Sequence, residues 1–327
     1  MRPVPERTAF VTGITGQDGG YLAERLLADG VAVHGLVHGH DEQAAELVAR
    51  YPEVMLHDGD LTDAGRIGAL IAELAPDEVY NLGGISSVAF SWQQPVLTGQ
   101  VSGLGAVAVL DACWQLQERS GRPVRVLQAS SAEIFGSPEQ APQDELTPLR
   151  PGTPYGAAKA YAHQMVSVFR SRGLAASSVI LYNHESPRRP ETFVTRKITA
   201  AAARIAAGRQ DRLSLGSLDV RRDWGWAPDY VEAMVLAVRH PRADDYVIAT
   251  GESHTVAEFV AAAFAAAGVA DWRSRVEVDP AFVRPVDAAE QRGNAAKARQ
   301  LLGWAPSRDF AAVVAAMVEA DLAQLEA

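Results

Sequence analysis

An α/β fold, a doubly wound parallel Rossmann sheet with a smaller C-terminal α/β substrate-binding lobe, is predicted by three observations. Short, β-branched apolar runs alternate with longer amphipathic ones from Thr8 to Thr250, the pattern of a parallel sheet with helices on its faces. The first run is followed at once by a glycine loop and a helical pattern. The run Val124–Ser131 is apolar and then turns polar at its C-terminal end, where open α/β sheets place their ligands.

The elements follow in chain order. Thr8–Thr12 is the first strand. Gly13-Ile14-Thr15-Gly16-Gln17-Asp18-Gly19 comes next, then a helix over Tyr21–Asp29. Glycines let the backbone approach a pyrophosphate, and a helix N-terminus offers free N–H groups. Val31–Val37 is the second strand. It ends in Val37-His38-Gly39-His40, without the acid usual for NAD or the arginine usual for NADP, and His38–Pro52 reads as a short loop. Val54–Asp60 is a third strand ending at Asp60-Leu61, which borders an adenine in this arrangement. Thr62 reads as the cap of a helix to about Leu74. Glu78–Leu82 is a fourth strand running into the turn Gly83-Gly84-Ile85-Ser86-Ser87. Gln100–Glu118 is a long apolar helix, Tyr155–Arg172 another, and Ala175–Leu181 and Tyr246–Thr250 are the last sheet strands. Val256–Ala267 and Phe310–Ala327 read as Ala-rich packing helices. This divides the chain into a dinucleotide-binding domain, 1–182 plus about 226–252, and a second, substrate-binding domain, about 183–225 plus 253–327.

Bulk properties narrow the class. At 48% hydrophobic, the 327 residues bury a sizeable core. A net charge of −10 argues against nucleic acid or an anionic membrane as partner. Cys113 is the single cysteine, so no disulfide framework or cysteine zinc site forms within the chain, and a cytoplasmic setting fits. No apolar run reads as approaching the ~18 residues of a spanning helix, and no metal site is expected.

Four side chains carry the chemistry: the Ser131 hydroxyl, the Glu133 carboxylate, the Tyr155 phenol and the Lys159 ammonium. Tyr155 and Lys159, four apart on a helix, share a face. A cation beside a phenol favours the phenolate, which makes Tyr155 a base near neutral pH. Glu133 reads as lying two residues beyond Ser131 on one strand face. Only three lysines occur, Lys159, Lys197 and Lys297. Basic clusters at Asn183–Thr199, Arg221-Arg222 and Arg284 in an acidic chain point to an anionic ligand such as a diphosphate, against the plainer reading of ion pairs with surplus carboxylates.

The words GITGQDGGYLAE, QASSAEIFG, PYGAAKAYA, NHESPRR, ETFVTRKIT, RDWGWAPDYVEAM and KARQLLGW run across nearly the whole chain. On them the sequence resembles the extended short-chain dehydrogenase/reductases, and within these the GDP-mannose 4,6-dehydratase family. All three lysines fall inside these words. The resemblance implies a lyase that converts GDP-mannose, or a close GDP-hexose, to the 4-keto-6-deoxy sugar with NADP, or NAD, as a recycled hydride carrier. It implies catalytic roles for Ser131, Glu133, Tyr155 and Lys159. It implies cofactor contacts at Gly13, Thr15, Gly16, Gln17, Asp18, Gly19, Asp60, Leu61, Leu82, Ser86, Lys159, His184 and Arg189. Substrate contacts fall on Ser86, Asn183, Val194, Lys197, Ser217, Arg222 and Arg284. A homodimer or homotetramer paired through the Gln100–Glu118 and Tyr155–Arg172 helices is expected by the same precedent.

The chain departs from that pattern in places. The family usually has an arginine pair after the second strand, and here it is missing. Ser131 replaces a threonine, Ile85 and Ser87 replace Gln and His, Leu97 replaces a tyrosine, and Ser217 replaces an asparagine. A reductase of the GDP-4-keto-6-deoxyhexose, or an epimerase of the same fold, is the alternative activity; neither needs Glu133. A non-catalytic dinucleotide-binding scaffold is the alternative of another class, and the intact set of four speaks against it.

Overall fold

The structure, a computed structural model, describes residues 7–39, 42–282 and 288–326. His40 and Arg284, both named above, lie outside them. Its centre is a seven-stranded sheet. In chain order the strands are β1 (Thr8–Thr12), β2 (Ala32–Val37), β3 (Met55–Asp58), β4 (Glu78–Asn81), β5 (Arg125–Ser131), β6 (Ala175–Leu181) and β7 (Asp245–Ile248). They lie in the order β7-β6-β5-β4-β1-β2-β3, and every pair is parallel. Chain direction across the sheet reverses between β1 and β4, so a crevice opens there beyond the carboxyl ends of the strands.

Side chains alternate between two cores because a strand has a period of two. Val11, Tyr80, Leu127 and Val179 pack with helices α1 (Gln17–Ala28) and α2 (Glu42–Arg50), and with a helix over Ala227–Arg239. Phe10, Val79, Val126 and Ala176 face the other way. They meet α3 (Ala64–Leu74), α4 (Gly105–Ser120) and α5 (Pro154–Ser171). A third core joins α6 (Val194–Ala206) to α8 (Val256–Ala266) and α9 (Phe310–Glu326) around Trp224; the Ala227–Arg239 helix is α7. Among the described residues, three small sheets lie in this second half. One of them pairs Asn183–Glu185 with Trp224–Trp226 in parallel.

Several local expectations are corrected. Helix α1 starts at Gln17 rather than Tyr21, because the glycine loop closes early and places Gly19 and Gly20 in the first turn. The stretch read as a loop, His38–Pro52, contains α2; Ala44 and Leu47 bury against α1 and β2 and supply the packing that so short a helix needs. Asp63, not Thr62, caps α3: its carboxylate accepts from the Arg66 N–H at 2.9 Å. β5 ends at Ser131, and Glu133 sits in a 3-10 turn, Ala132–Phe135, not on the strand.

Helix α4 is preceded by Val88–Gln93, Pro95–Thr98 and a π-turn over Gly99–Leu104, so the helical run Pro95–Ser120 spans 26 residues. That run is long and apolar enough to cross a membrane by length and composition, contrary to the expectation above. Half of its most apolar 18-residue stretch is buried inside the protein, and the run packs against α3 and α5. Helix α9 does more than pack: its Asp321 forms a buried ion pair with Arg196 of α6.

Candidate active site

The glycine loop meets the β4 turn so closely that side chains are excluded. Gly13 has φ +69°, and a Cβ there falls 2.8 Å from the Gly83 nitrogen. A Cβ at Gly19 falls 2.3 Å from the Gly13 carbonyl oxygen. Gly16 caps α1 without any side-chain hydrogen bond, so the first-turn N–H groups and the positive end of the helix dipole point outward for an anion. These residues fit a pyrophosphate. Asp60 and Leu61 follow β3; Asp60 is committed to the Thr62 N–H at 2.8 Å, and Leu61 packs under Gly83 and Gly105.

A cleft of about 270 Å³ opens beside this cradle. Twelve of the residues named from the sequence line it: Asp18, Leu82, Ser86, Ser131, Glu133, Tyr155, Lys159, Asn183, His184, Arg189, Val194 and Arg222. Thr153 caps α5 by accepting from the Gly156 N–H at 2.9 Å, and Pro154 occupies its first turn. Gly156 is required because a Cβ there falls 2.6 Å from the Glu133 carbonyl oxygen. That approach seats the start of α5, and therefore Tyr155, against the Glu133 turn. The Ser131 hydroxyl accepts from the Glu133 N–H at 3.3 Å and favours the ionised form of the Tyr155 phenol. Glu133 accepts from Gln291 Nε2 at 3.3 Å.

Burial governs the titration of the pair on α5. It pushes the Tyr155 phenol up to about 12, with Glu133 adding to the rise and the Ser131 hydrogen bond opposing it. Burial also lowers the Lys159 ammonium to about 8, with Asp18 working against the fall. Lys159 Nζ lies 5.9 Å from the Tyr155 ring centre and donates to the Ala129 carbonyl at 3.0 Å. Burial therefore works against the expectation of a Tyr155 phenolate near neutral pH in the protein by itself.

Asp18 and His184 are joined to each other. Nε2 of His184 lies 2.9 Å from the Asp18 carboxylate, and Nδ1 lies 2.7 Å from the Tyr182 carbonyl. Gln17 donates to the His184 carbonyl at 3.1 Å and accepts from the Ser186 hydroxyl at 2.9 Å. The glycine loop and the 183–186 segment are thereby clamped together. Arg189 stacks on Phe193, 3.8 Å from the ring centre, and pairs with the buried Glu185 at 3.3 Å. Arg222 is buried and donates to the Ala288 and Arg221 carbonyls. The plainer reading of the basic clusters thus holds in part, with several arginines engaged inside the protein.

Among the described residues, two predicted substrate contacts stand apart from the cleft. Lys197 donates to the Ser214 carbonyl at 2.7 Å and sits 4.0 Å from the Phe282 ring centre. Ser217 follows the strand Leu213–Leu215 beside Gly216, which abuts Phe282. The structure adds cleft residues the sequence did not single out: Ser130, Tyr182, Glu185, Thr192, Phe193 and Thr195. Ser130 is the most telling, since its hydroxyl is buried without a protein partner, a group that a bound ligand satisfies. Its position inside QASSAEIFG was the available signal.

Comparison with known proteins bears on this geometry. The family model described as GDP-mannose 4,6 dehydratase matches residues 10–317. The GDP-mannose 4,6 dehydratase 1 of Arabidopsis thaliana is 44% identical over 97% of this chain and 90% of its own. That of Homo sapiens is 41% identical over 97% of this chain and 92% of its own. The chain belongs to the GDP-mannose 4,6-dehydratase family. Among solved structures, the UDP-glucose 4-epimerase of Thermus thermophilus in complex with NAD superposes with a TM-score of 0.82. It is 30% identical, over 96% of this chain and 98% of that one. The Thermotoga maritima UDP-glucose 4-epimerase, at 21% identity and a TM-score of 0.86 over 97% and 99% of the two chains, shares the fold.

Of the positions that depart from the family pattern, Ser87 and Ser131 line the cleft, and Ile85 and Leu97 do not. Ile85 takes its place through its N–H, which donates to Ser102 at 2.9 Å. Ser87 caps Val88–Gln93 by accepting from the Phe90 N–H at 3.2 Å, and it lines the cleft. Leu97 is on the following short helix and is exposed. At the end of β2, His38 lies 3.5 Å from Asp60 and is largely exposed.

Proposed function

We infer that this enzyme is a nucleotide-sugar 4,6-dehydratase, a hydro-lyase that converts GDP-mannose to GDP-4-keto-6-deoxymannose. The observation that carries the reading is Glu133 beside Ser131 and Tyr155 in one cleft, in a chain whose family match runs almost end to end. A nicotinamide dinucleotide belongs in the cradle of Gly13, Gly16 and Gly19, with Thr15, Gln17, Asp18, Asp60, Leu61, Leu82, Ser86, His184 and Arg189 around it. Bound there, it supplies the hydride store that carries one hydride from C4 to C6, so that no reductant is consumed.

The chain's own groups do the rest. Tyr155 Oη takes the proton of the C4 hydroxyl, and Ser131 hydrogen-bonds the oxygen that becomes the 4-ketone. Lys159 steadies the phenolate. Burial opposes that phenolate, and Lys159 and Ser131 are the chain's own groups that favour it. The ketone acidifies C5, Glu133 removes that proton, and the same carboxyl delivers it to the departing C6 hydroxyl, which leaves as water. The proton held on Tyr155 returns to C5. Atoms balance: one water is lost and nothing is oxidised overall.

On the substrate side, Ser86, Asn183, Val194, Lys197, Ser217, Arg222 and Arg284 are read as contacts to the nucleotide sugar. We favour NADP over NAD by the family precedent. The two-domain division, 1–182 plus about 226–252 against the rest, belongs to the same reading, as does a cytoplasmic setting in which Cys113 remains a buried thiol. Two copies pair through the face that carries exposed Val96, Leu104, Tyr161 and Val168.

The deciding experiment incubates the enzyme with GDP-mannose and no added reductant. The expected product is lighter than its substrate by one water, with no net change in reduced nicotinamide. Stoichiometric consumption of NADPH with a keto-sugar substrate, and no dehydration of GDP-mannose, would establish the reductase instead.

A further inference from the structure

A row of buried polar side chains crosses the centre of the sheet. Thr12, Asn81 and Gln128 are register partners on β1, β4 and β5, and each is at most 1% exposed. They lie on the face that packs against α5, the same face as Phe10, Val79 and Val126. Polar groups in such a place are costly unless each is bonded, and these are. The Gly83 N–H donates to Thr12 Oγ1 at 2.9 Å. Thr12 Oγ1 donates to Asn81 Oδ1 at 2.6 Å, and Asn81 Nδ2 donates to Gln128 Oε1 at 2.7 Å. Gln128 Nε2 donates to the Ala129 carbonyl at 2.8 Å. That same carbonyl accepts from Lys159 Nζ at 3.0 Å.

The direction of the row is fixed by its ends. A backbone N–H can only donate and a carbonyl can only accept, so the Thr12 hydroxyl and both amides have one orientation that satisfies every bond. The first residue of the row, Gly83, is the one against which Gly13 of the glycine loop packs. The last bond shares its acceptor with the ammonium of α5.

We propose that Thr12, Asn81 and Gln128 are positioning residues that tie the glycine-loop turn to Lys159, holding the carbonyl on which its ammonium is seated. The proposal rests on the dehydratase reading, in which Lys159 steadies the Tyr155 phenolate. The charged and titratable groups around Lys159 are Asp18 and Tyr155. His163, one turn further along α5, is held by the Ser178 hydroxyl at 2.9 Å. None of the three positioning side chains touches a reacting atom, so their effect passes through Lys159.

The row makes an unusual substitution informative. Asn81→Asp replaces a donor by an acceptor two strands from Lys159. The least costly repair is rotation of the Gln128 amide, which turns Oε1 toward the Ala129 carbonyl and displaces the ammonium seat. Gln128→Met removes the last donor at similar length, and Thr12→Val removes the first hydroxyl with little change of shape.

The test measures kcat against pH, dinucleotide affinity by direct titration, and thermal midpoint, for these three variants and Lys159→Met. The expected result is a dinucleotide Kd within about threefold of the parent, kcat lower by about tenfold, and an alkaline shift of the rising pH limb by about half a unit, as a loosened cation favours the phenolate less. Thr12→Val carries the test if the other two fail to fold. Loss of thermal midpoint with an unmoved pH limb would overturn the proposal, leaving the row purely structural. A pH limb that stays unmoved in Lys159→Met as well would instead overturn the dehydratase assignment of Lys159.

Discussion

At the residue scale, the Asp18–His184 contact sets a pH dependence whose sign can be worked out. Burial disfavours the His184 cation, but Asp18 overcomes it and the imidazole rises above its ordinary 6.5. Burial likewise opposes the Asp18 carboxylate, and His184, with Arg189, brings it below its ordinary 3.8. The histidine contribution to stability is full below 6.5 and lost as pH rises through its raised value. The aspartate contribution is full above 3.8 and lost as pH falls through its lowered value. The clamp between the glycine loop and the 183–186 segment is therefore strongest between these two limits. Asp18→Asn is expected to lower the thermal midpoint by about 2 °C at about pH 6 and by less at about pH 9. Melting curves at the two pH values check it; an equal loss at both would show that the pair's charge does not matter.

At the scale of single elements, packing separates two helix glycines that look alike in the sequence. Gly19, in the first turn of α1, has backbone atoms of Gly13 and Ile14 within 2.6 Å of where a Cβ would sit. Gly19→Ala is expected to cost about 1–3 kcal/mol through overpacking and to weaken dinucleotide binding by about tenfold or more, since the loop itself must shift. Gly68, inside α3, has nothing within 4 Å of its Cβ position. Gly68→Ala is expected to stabilise the protein by about 0.5–1 kcal/mol, the ordinary helix-propensity gain. Urea unfolding paired with dinucleotide titration distinguishes the two. The same scale shows how legible the sequence was. The central strands of the sheet were readable because they are short runs buried on both faces, as β1, β4 and β6 show, whereas the edge strand β3 has no buried residue. Helix α2 was not, because only Ala44 and Leu47 are buried along it and its remaining residues are polar or exposed. The Glu133 turn was also hidden, since two-residue spacing after a strand is equally consistent with continued strand.

At the scale of the whole molecule, the two halves of the chain are tied at several points. Asp223, buried beside Trp224, accepts from the Thr250 and Gly251 N–H groups at 2.9 Å each and so joins the end of β7 to the small sheets. Arg196 and Asp321 join α6 to α9. The outer surface of α5 is less complete: Tyr161 and Val168, seven residues apart and hence on one face, are 42% and 48% exposed. Leu104 and Val96 of the neighbouring helical run are 58% and 73% exposed, and Gly103 packs against the Tyr161 ring. Under the proposed pairing of two copies this apolar surface is the interface. Leu104→Lys is expected to convert a dimer to monomer at micromolar concentration with the fold intact, as read by light scattering and circular dichroism. An unchanged mass would place the interface elsewhere.

By itself the sequence determined the order and character of the sheet strands, the glycine loop and the four reactive side chains, because these depend on local patterns: period-two burial, glycine spacing, a Tyr–Lys pair one helical turn apart. Only the tertiary structure decided which charges act and how. It showed that burial raises the Tyr155 phenol, that Asp18 and His184 answer each other across 166 positions, and that Lys197 is occupied by the Ser214 carbonyl. It also assembled Thr12, Asn81 and Gln128 into one hydrogen-bonded row. Burial and hydrogen-bond partners are properties of segments far apart in the chain, and they exist once the sheet has brought those segments together.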